Sequence, residues 1–263
     1  MSPPLLEANR ITVRFGGVVA LNEVTAAVHV GERLGIVGAN GAGKTTLFAV
    51  LSGLLKPHSG DVCLEGRVIT RMTAQERAAC GLARTFQRVQ LFPELTVREH
   101  LVLAYRMRHG GHSLVRDLLG LGRSRSSSSP EESARVGELV ARLGLSEAAN
   151  RPAANLPLST ARLVEVGRAL ATEPRVVLLD EPTSGLHSHE SAALGEVLRW
   201  ASEERKVALV LVEHDFEFVM GLAEHVVALD FGRVIATGRP AEVRADPAVA
   251  EAYVGFQRQV RTS

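Results

Sequence analysis

The chain has 263 residues, 46% of them hydrophobic, which is enough for one large α/β domain or two small ones with packed cores. Its 30 basic and 29 acidic residues leave a formal net charge of +1, which excludes the strong global field that draws a protein to nucleic acid or an anionic membrane. No apolar run reaches the roughly 20 residues of a membrane span, the longest having only the length of a strand.

Met1 to Arg10 carries prolines and a glutamate and has no h-region, so no secretory leader is expected there. Leu5 to Val30 alternates as antiparallel strands do, with Phe15-Gly16-Gly17 as the turn between Ile11-Thr12-Val13 and Val18-Val19-Ala20-Leu21. Arg33 to Val37 reads as a short buried strand, and a helical pattern begins at Thr46 and runs to Leu51. Gly60 to Gly66 looks like a strand ending in a turn, and Thr73 to Gly81 like a short helix with Thr73 as its N-cap. Cys63 and Cys80 share no metal-ligand spacing and are too few for a disulfide framework; they read as small buried hydrophobes in a reducing cytoplasm.

From Val97 to Leu145 the pattern is mostly helical, interrupted by the low-complexity stretch Gly122 to Pro130, which reads as a solvated, mobile loop. Glu131 to Leu143 and Arg162 to Thr172 carry apolar residues at helical spacing. The buried strands Arg175 to Leu179 and Val207 to Val212 flank a helix from Ser191 to Glu203, and this alternation implies parallel strands in an α/β core. Val226 to Leu229 pairs through the turn Asp230-Phe231-Gly232-Arg233 with Val234-Ile235-Ala236, and a helical tail closes the chain.

Two segments carry chemistry. Gly38-Ala39-Asn40-Gly41-Ala42-Gly43-Lys44-Thr45-Thr46 fits the phosphate-binding pattern G-x-x-x-x-G-K-[ST] between a predicted strand and a predicted helix. Its glycines let successive N–H groups turn toward a phosphate, and the helix adds its positive end. Lys44 supplies a point charge for the β- and γ-phosphates, and the Thr45 hydroxyl can bind Mg²⁺, so a nucleotide triphosphate is the expected ligand. Further on, Val176-Val177-Leu178-Leu179-Asp180-Glu181 is an apolar strand that ends in two carboxylates. Asp180 at the strand edge suits Mg²⁺, directly or through water, and Glu181 suits a general base that polarises the attacking water.

With these segments the chain resembles the ATP-binding subunits of ABC transporters over nearly its whole length. The resemblance implies a P-loop NTPase (RecA-like) α/β core, with an antiparallel β-subdomain and an inserted α-helical subdomain. The core then spans 1–86 and 163–240, the helical subdomain that carries the signature region spans 87–162, and a helical tail spans 241–263. It also implies that Phe15 stacks on adenine, that Gln87 contacts Mg²⁺ and water and hinges toward a membrane subunit, and that His214 hydrogen-bonds the γ-phosphate. Within the family the chain is most similar to importers of branched-chain amino acids and related polar solutes, through Arg14 to Gly17, Ala83 to Gln87, Leu91 to Val97, Glu165 to Leu170 and Gly238 to Val243.

The family's signature, L-S-G-G-Q or a near variant, falls on Leu156-Pro157-Leu158-Ser159-Thr160. A register two residues later, Leu158 to Arg162, would turn the following helix by about 200° and lose the fit of Glu165, Arg168 and Leu170. Pro157 thus stands for the usual serine and Ser159 for the second glycine. His187 stands where the family has aspartate or asparagine in the loop that crosses the dimer interface. In this family each signature completes the ATP site of a partner subunit, so the altered segment favours a heterodimer with a second ATPase. The implied partners are that ATPase, transmembrane permeases and, indirectly, a solute-binding protein, with the chain on the cytoplasmic face of the membrane and no nucleic acid. An exporter of lipid or polysaccharide, and a non-transport ABC ATPase acting on a macromolecular complex, remain alternatives.

Overall fold

The computed structural model describes residues 3–85, 89–109 and 129–252. Gln87 and most of the low-complexity stretch from Gly122 to Pro130 lie outside them. The chain divides into two compact units: one holds 1–84, 175–181 and 198–263, the other 85–174 and 182–197.

The first unit contains two sheets. β1 (Leu6–Phe15) and β2 (Val18–Val28) form the predicted hairpin, and β4 (Ser59–Leu64) and β5 (Arg67–Val68) extend it to the antiparallel order β2-β1-β4-β5. The second sheet has the order β10-β9-β3-β8-β7-β6, built from β3 (Arg33–Gly38), β6 (Leu82–Arg84), β7 (Val176–Asp180), β8 (Ala208–Val212), β9 (His225–Asp230) and β10 (Arg233–Gly238). Only the β9–β10 pair in this sheet is antiparallel. Every residue of β3, β7 and β8 is buried, as expected for central parallel strands covered on both faces.

Helix α1 (Lys44–Leu51) follows β3 and buries Leu47, Phe48, Val50 and Leu51 in the core between the sheets. Its C-terminal carbonyls are held by a fully buried arginine, Arg77, which donates to the carbonyls of Val50 and Leu51 at 2.7 Å each. Arg77 stands on α2 (Ala74–Ala79), where Thr73 is the N-cap and forms a reciprocal capping box with Glu76.

The second unit is helical. α3 (Val97–His109), α4 (Pro130–Arg142) and α5 (Leu158–Ala171) pack on one another, with Leu101, Val136, Leu139, Val164 and Leu170 among their buried residues. The helix expected from Arg162 begins a turn earlier, at Leu158. Pro157 sits at its N-cap with φ −56° and ψ 153°, an extended conformation that proline adopts without strain, and the Ala161 N–H closes the first turn on the Pro157 carbonyl at 2.9 Å. Likewise α6 (Ser188–Glu203) starts three residues before the expected Ser191. Short helices α7 (Phe216–Leu222) and α8 (Pro240–Ala245) follow, and residues 247–252 are helical.

Candidate nucleotide site

The loop from Gly38 to Lys44 starts at the C-terminal end of β3, between β9 and β8, the edge at which parallel sheets of this kind take ligands. Gly38 has φ 151°, and a Cβ there would lie 2.3 Å from the Leu229 carbonyl oxygen. Gly43, the N-cap of α1, has φ 103°, and a Cβ would lie 2.7 Å from the Ala20 oxygen on β2. Both positions exclude any other residue. Gly41, at φ 84°, faces open space instead. The backbone is therefore pinned at both ends and open in the middle, with α1 aimed at the opening, and this is a cradle for an anion.

Within the loop Ala42 N–H closes a turn on the Ala39 carbonyl at 3.1 Å. The buried Lys44 ammonium donates to the carbonyls of Gly38 at 2.6 Å and Ala39 at 3.0 Å. Burial lowers its pKa, and the carboxylate of Glu181 acts in the opposite direction. Asn40 and Thr45 are exposed and Ala39 and Thr46 half-buried, so the loop presents side chains as well as N–H groups. Phe15 ends β1 beside the hairpin turn with 54% of its surface exposed.

β7 lies next to β8, which lies next to β3, so the ends of these three strands form one edge. Asp180, the last residue of β7, is 3% exposed. Glu181 follows in a left-handed conformation at φ 49°, its N–H donating to the Val212 carbonyl at 2.9 Å. That turn sends the two consecutive carboxylates in different directions. Glu181 Oε1 meets His214 Nε2 at 2.8 Å, and the His214 N–H donates to the carboxylate of the buried Glu213 at 3.1 Å. The structure thus brings Lys44, Asp180, Glu181 and His214 together in one unit. Sequence reasoning gave no role to Arg84, whose Nη2 donates to Asp180 Oδ2 at 2.8 Å, nor to Glu213. A lone arginine closing a short apolar strand was the available signal for the first.

Among the described residues no group of three or more His, Cys, Asp or Glu converges as a metal site. Mg²⁺ held mostly by phosphate and water needs only one or two protein oxygens, and the Thr45 hydroxyl and Asp180 carboxylate are hard donors of that kind. The donor set fits the ion.

The signature segment lies in the helical unit. Leu156 ends a 3₁₀ turn (Ala153–Asn155), Pro157 caps α5, and Leu158, Ser159 and Thr160 form its first turn, with Leu158 60% exposed. The Ser159 hydroxyl is hydrogen-bonded to the carboxylate of Glu190, which also accepts from the His187 N–H at 2.8 Å. Two of the three departures from the family pattern, Ser159 and His187, therefore meet at one carboxylate. These contacts hold its pKa low, the His187 N–H first. Further along α5, Glu165 Oε1 accepts from the Gln90 N–H at 2.9 Å and Arg168 donates to the Gln90 carbonyl at 2.6 Å.

A glycine-pinned anion cradle at the end of a parallel strand, beside a second strand that ends in a buried aspartate and a glutamate, defines a P-loop nucleotide triphosphatase. The ABC transporter family profile matches residues 21–184, and a profile described as branched-chain amino acid ATP-binding cassette transporter matches residues 233–255. The high-affinity branched-chain amino acid transport ATP-binding protein LivG of Escherichia coli is 37% identical over 97% of this chain and 99% of its own length. BraF of Pseudomonas aeruginosa, of the same description, is 35% identical over the same shares of the two chains. A nucleotide-free ATP-binding cassette from an ABC transporter superposes with a TM-score of 0.79 at 29% identity, covering 95% of this chain and 99% of the other. An ADP conformation of such a cassette gives 0.79 at 30% identity, covering 96% and 99%. The chain belongs to the ABC transporter ATP-binding family, as a subunit that binds and hydrolyses ATP to energise transport.

Proposed function

We propose that this chain is the Mg²⁺-dependent ATPase subunit of an importer for branched-chain amino acids or related small polar solutes. It would act peripherally at the cytoplasmic face of the membrane, beside transmembrane permeases that receive solute from a binding protein. Similarity to LivG and BraF over 97% of the chain is the observation that carries this reading. Among the described residues no helix is long and apolar enough to cross a membrane.

The cradle N–H groups and Lys44 would hold the β- and γ-phosphates, with Phe15 against the base. Thr45, Asp180 and Gln87 would hold Mg²⁺, which would supply charge neutralisation at the phosphates. Glu181 orients the attacking water and takes its proton, while His214, in contact with Glu181 at 2.8 Å, stabilises the charge that develops on the γ-phosphate. Residues 87–162 are proposed to face the permease. Leu156 to Thr160 would complete the ATP site of a partner ATPase, with a heterodimer favoured because Pro157 brings no N–H and Ser159 is held by Glu190.

Reconstitution with the permeases and binding protein of a branched-chain amino acid importer tests the proposal. Uptake of labelled leucine should require ATP and Mg²⁺, and Lys44→Ala should abolish it along with nucleotide binding. Solute leaving the vesicles, or hydrolysis indifferent to every branched-chain amino acid and its binding protein, overturns the import reading.

A further inference from the structure

Arg84 closes β6, the strand that pairs with β7 at the edge of the large sheet, and Ala83 and Arg84 lie opposite Val177 and Leu178. Its side chain is 11% exposed and that of Asp180 is 4% exposed. One arm of the guanidinium donates to Asp180 Oδ2 at 2.8 Å, and the other donates to Ser52 Oγ at 2.7 Å and approaches the Phe48 carbonyl at 3.5 Å. Phe48 lies in α1 and Ser52 is the C-cap of that helix, whose opposite end carries Lys44 and Thr45. The same guanidinium lies 5.9 Å from the Phe48 ring centroid.

One planar group therefore joins the carboxylate at the end of β7 to the helix that carries the phosphate cradle. A carboxylate rotates readily about its last bond, since that torsion has only broad, two-fold preferences. A guanidinium fixed at a second point removes that freedom, because its donors diverge at set angles and its charge is permanent. A lysine ammonium at the same place could neutralise Asp180 but could not meet the ring, the hydroxyl and the carboxylate with donors diverging at set angles.

We propose that Arg84 is a positioning residue for the divalent cation: it fixes the Asp180 carboxylate relative to Thr45, so that the two oxygens meet the ion in one geometry. The inference rests on Asp180 being a metal-binding residue, and it adds a residue that touches neither nucleotide nor metal. Arg84 reaches the ion through Asp180, and its bonds to Ser52 and the Phe48 carbonyl lie at the end of α1 away from the cradle, so its removal affects metal affinity and spares metal-free nucleotide binding.

The full chain and its variants Arg84→Gln, Arg84→Lys, Asp180→Asn and Arg84→Gln/Asp180→Asn are titrated with a fluorescent ATP analogue in EDTA. Their ATP complexes are then titrated with Mn²⁺ and followed by electron paramagnetic resonance. Metal-free ATP affinity should be unchanged by Arg84→Gln, while Mn²⁺ affinity falls about tenfold, the usual cost of losing a residue that orients a metal ligand. Arg84→Lys should fall between parent and Arg84→Gln, and the double variant should match Asp180→Asn alone. Parent-like Mn²⁺ affinity in Arg84→Gln, with Asp180→Asn weakened, overturns the inference and leaves Asp180 as a ligand. Parent-like affinity in Asp180→Asn overturns both. Loss of metal-free ATP binding in both Arg84 variants assigns Arg84 to general stability and overturns the inference as well.

Discussion

Glu181 occupies backbone space that costs a β-bonded side chain energy, at φ 49°, and the surroundings hold it there through the Val212 carbonyl and His214. The result is a separation of labour between neighbours: Asp180 stays buried against Arg84 while Glu181 turns to the histidine. Glu181→Gln should lower kcat by about 10²- to 10⁴-fold, the range of a lost general base, with ATP affinity retained. His214→Ala should also lower kcat, and the pair should cost less than the product of the two, because each acts on the other. Single-turnover hydrolysis beside equilibrium ATP binding measures this; multiplicative losses would show that the 2.8 Å contact has no catalytic consequence. Asp180 and Glu181 were readable in the sequence because they close an apolar strand, and His214 through its place in the family's order of motifs. Arg84 was not, because an ion pair 96 residues apart in the chain leaves no local pattern.

α3 and α5 are tied to the segment that follows Gln87 by two buried polar contacts of different kinds. His100 on α3 has both ring nitrogens engaged: Nε2 accepts from the Phe92 N–H at 2.9 Å, so Nδ1 carries the proton and donates to the Thr96 carbonyl at 2.8 Å. Protonation of Nε2 would set a second donor against the Phe92 N–H. Burial lowers the His100 pKa below its ordinary 6.5, opposed in part by the hydrogen bond to the Thr96 carbonyl, with smaller contributions from Arg168, which lowers it, and Glu99, which raises it. Since the unfolded chain then binds the proton more readily, the stability due to neutral His100 is complete above pH 6.5 and is lost as pH falls through the lower folded value. The stability difference between the parent and His100→Gln should be constant above that pH and shrink below it, by at most about 1.4 kcal/mol per pH unit. Urea unfolding across a pH series measures it, and a difference that grows on acidification contradicts the assignment. Glu165 on α5 has the opposite sign, since burial raises its pKa and its cost grows as pH rises above 4.5, so only the comparison with the variant isolates His100. At this scale the Thr73 cap and the hairpin turns were legible from local chemistry. The start of α5 was missed by a turn, because serine and threonine after a proline read as loop until the helix that follows is seen to need a first turn.

For the whole molecule, the proposed pairing with a second ATPase gives a direct test. The purified chain alone should hydrolyse ATP slowly and without cooperativity, and addition of a partner ATPase with an unaltered signature should raise turnover about tenfold with cooperative dependence on ATP, the scale set by helix-end interactions of about 1–2 kcal/mol with an anion. Robust cooperative turnover by this chain alone would mean that Leu156 to Thr160 completes a site as well as an unaltered signature does. The sequence by itself determined the class of protein and the order of its parts, because a phosphate cradle requires glycines and a lysine at fixed spacing, and parallel strands require alternation with helices. Only the tertiary structure decided which side chains share the work. Arg84 meets Asp180, Glu181 meets His214 and Ser159 meets Glu190 because strands and helices distant in sequence end at the same place, and no spacing along the chain encodes where two ends coincide.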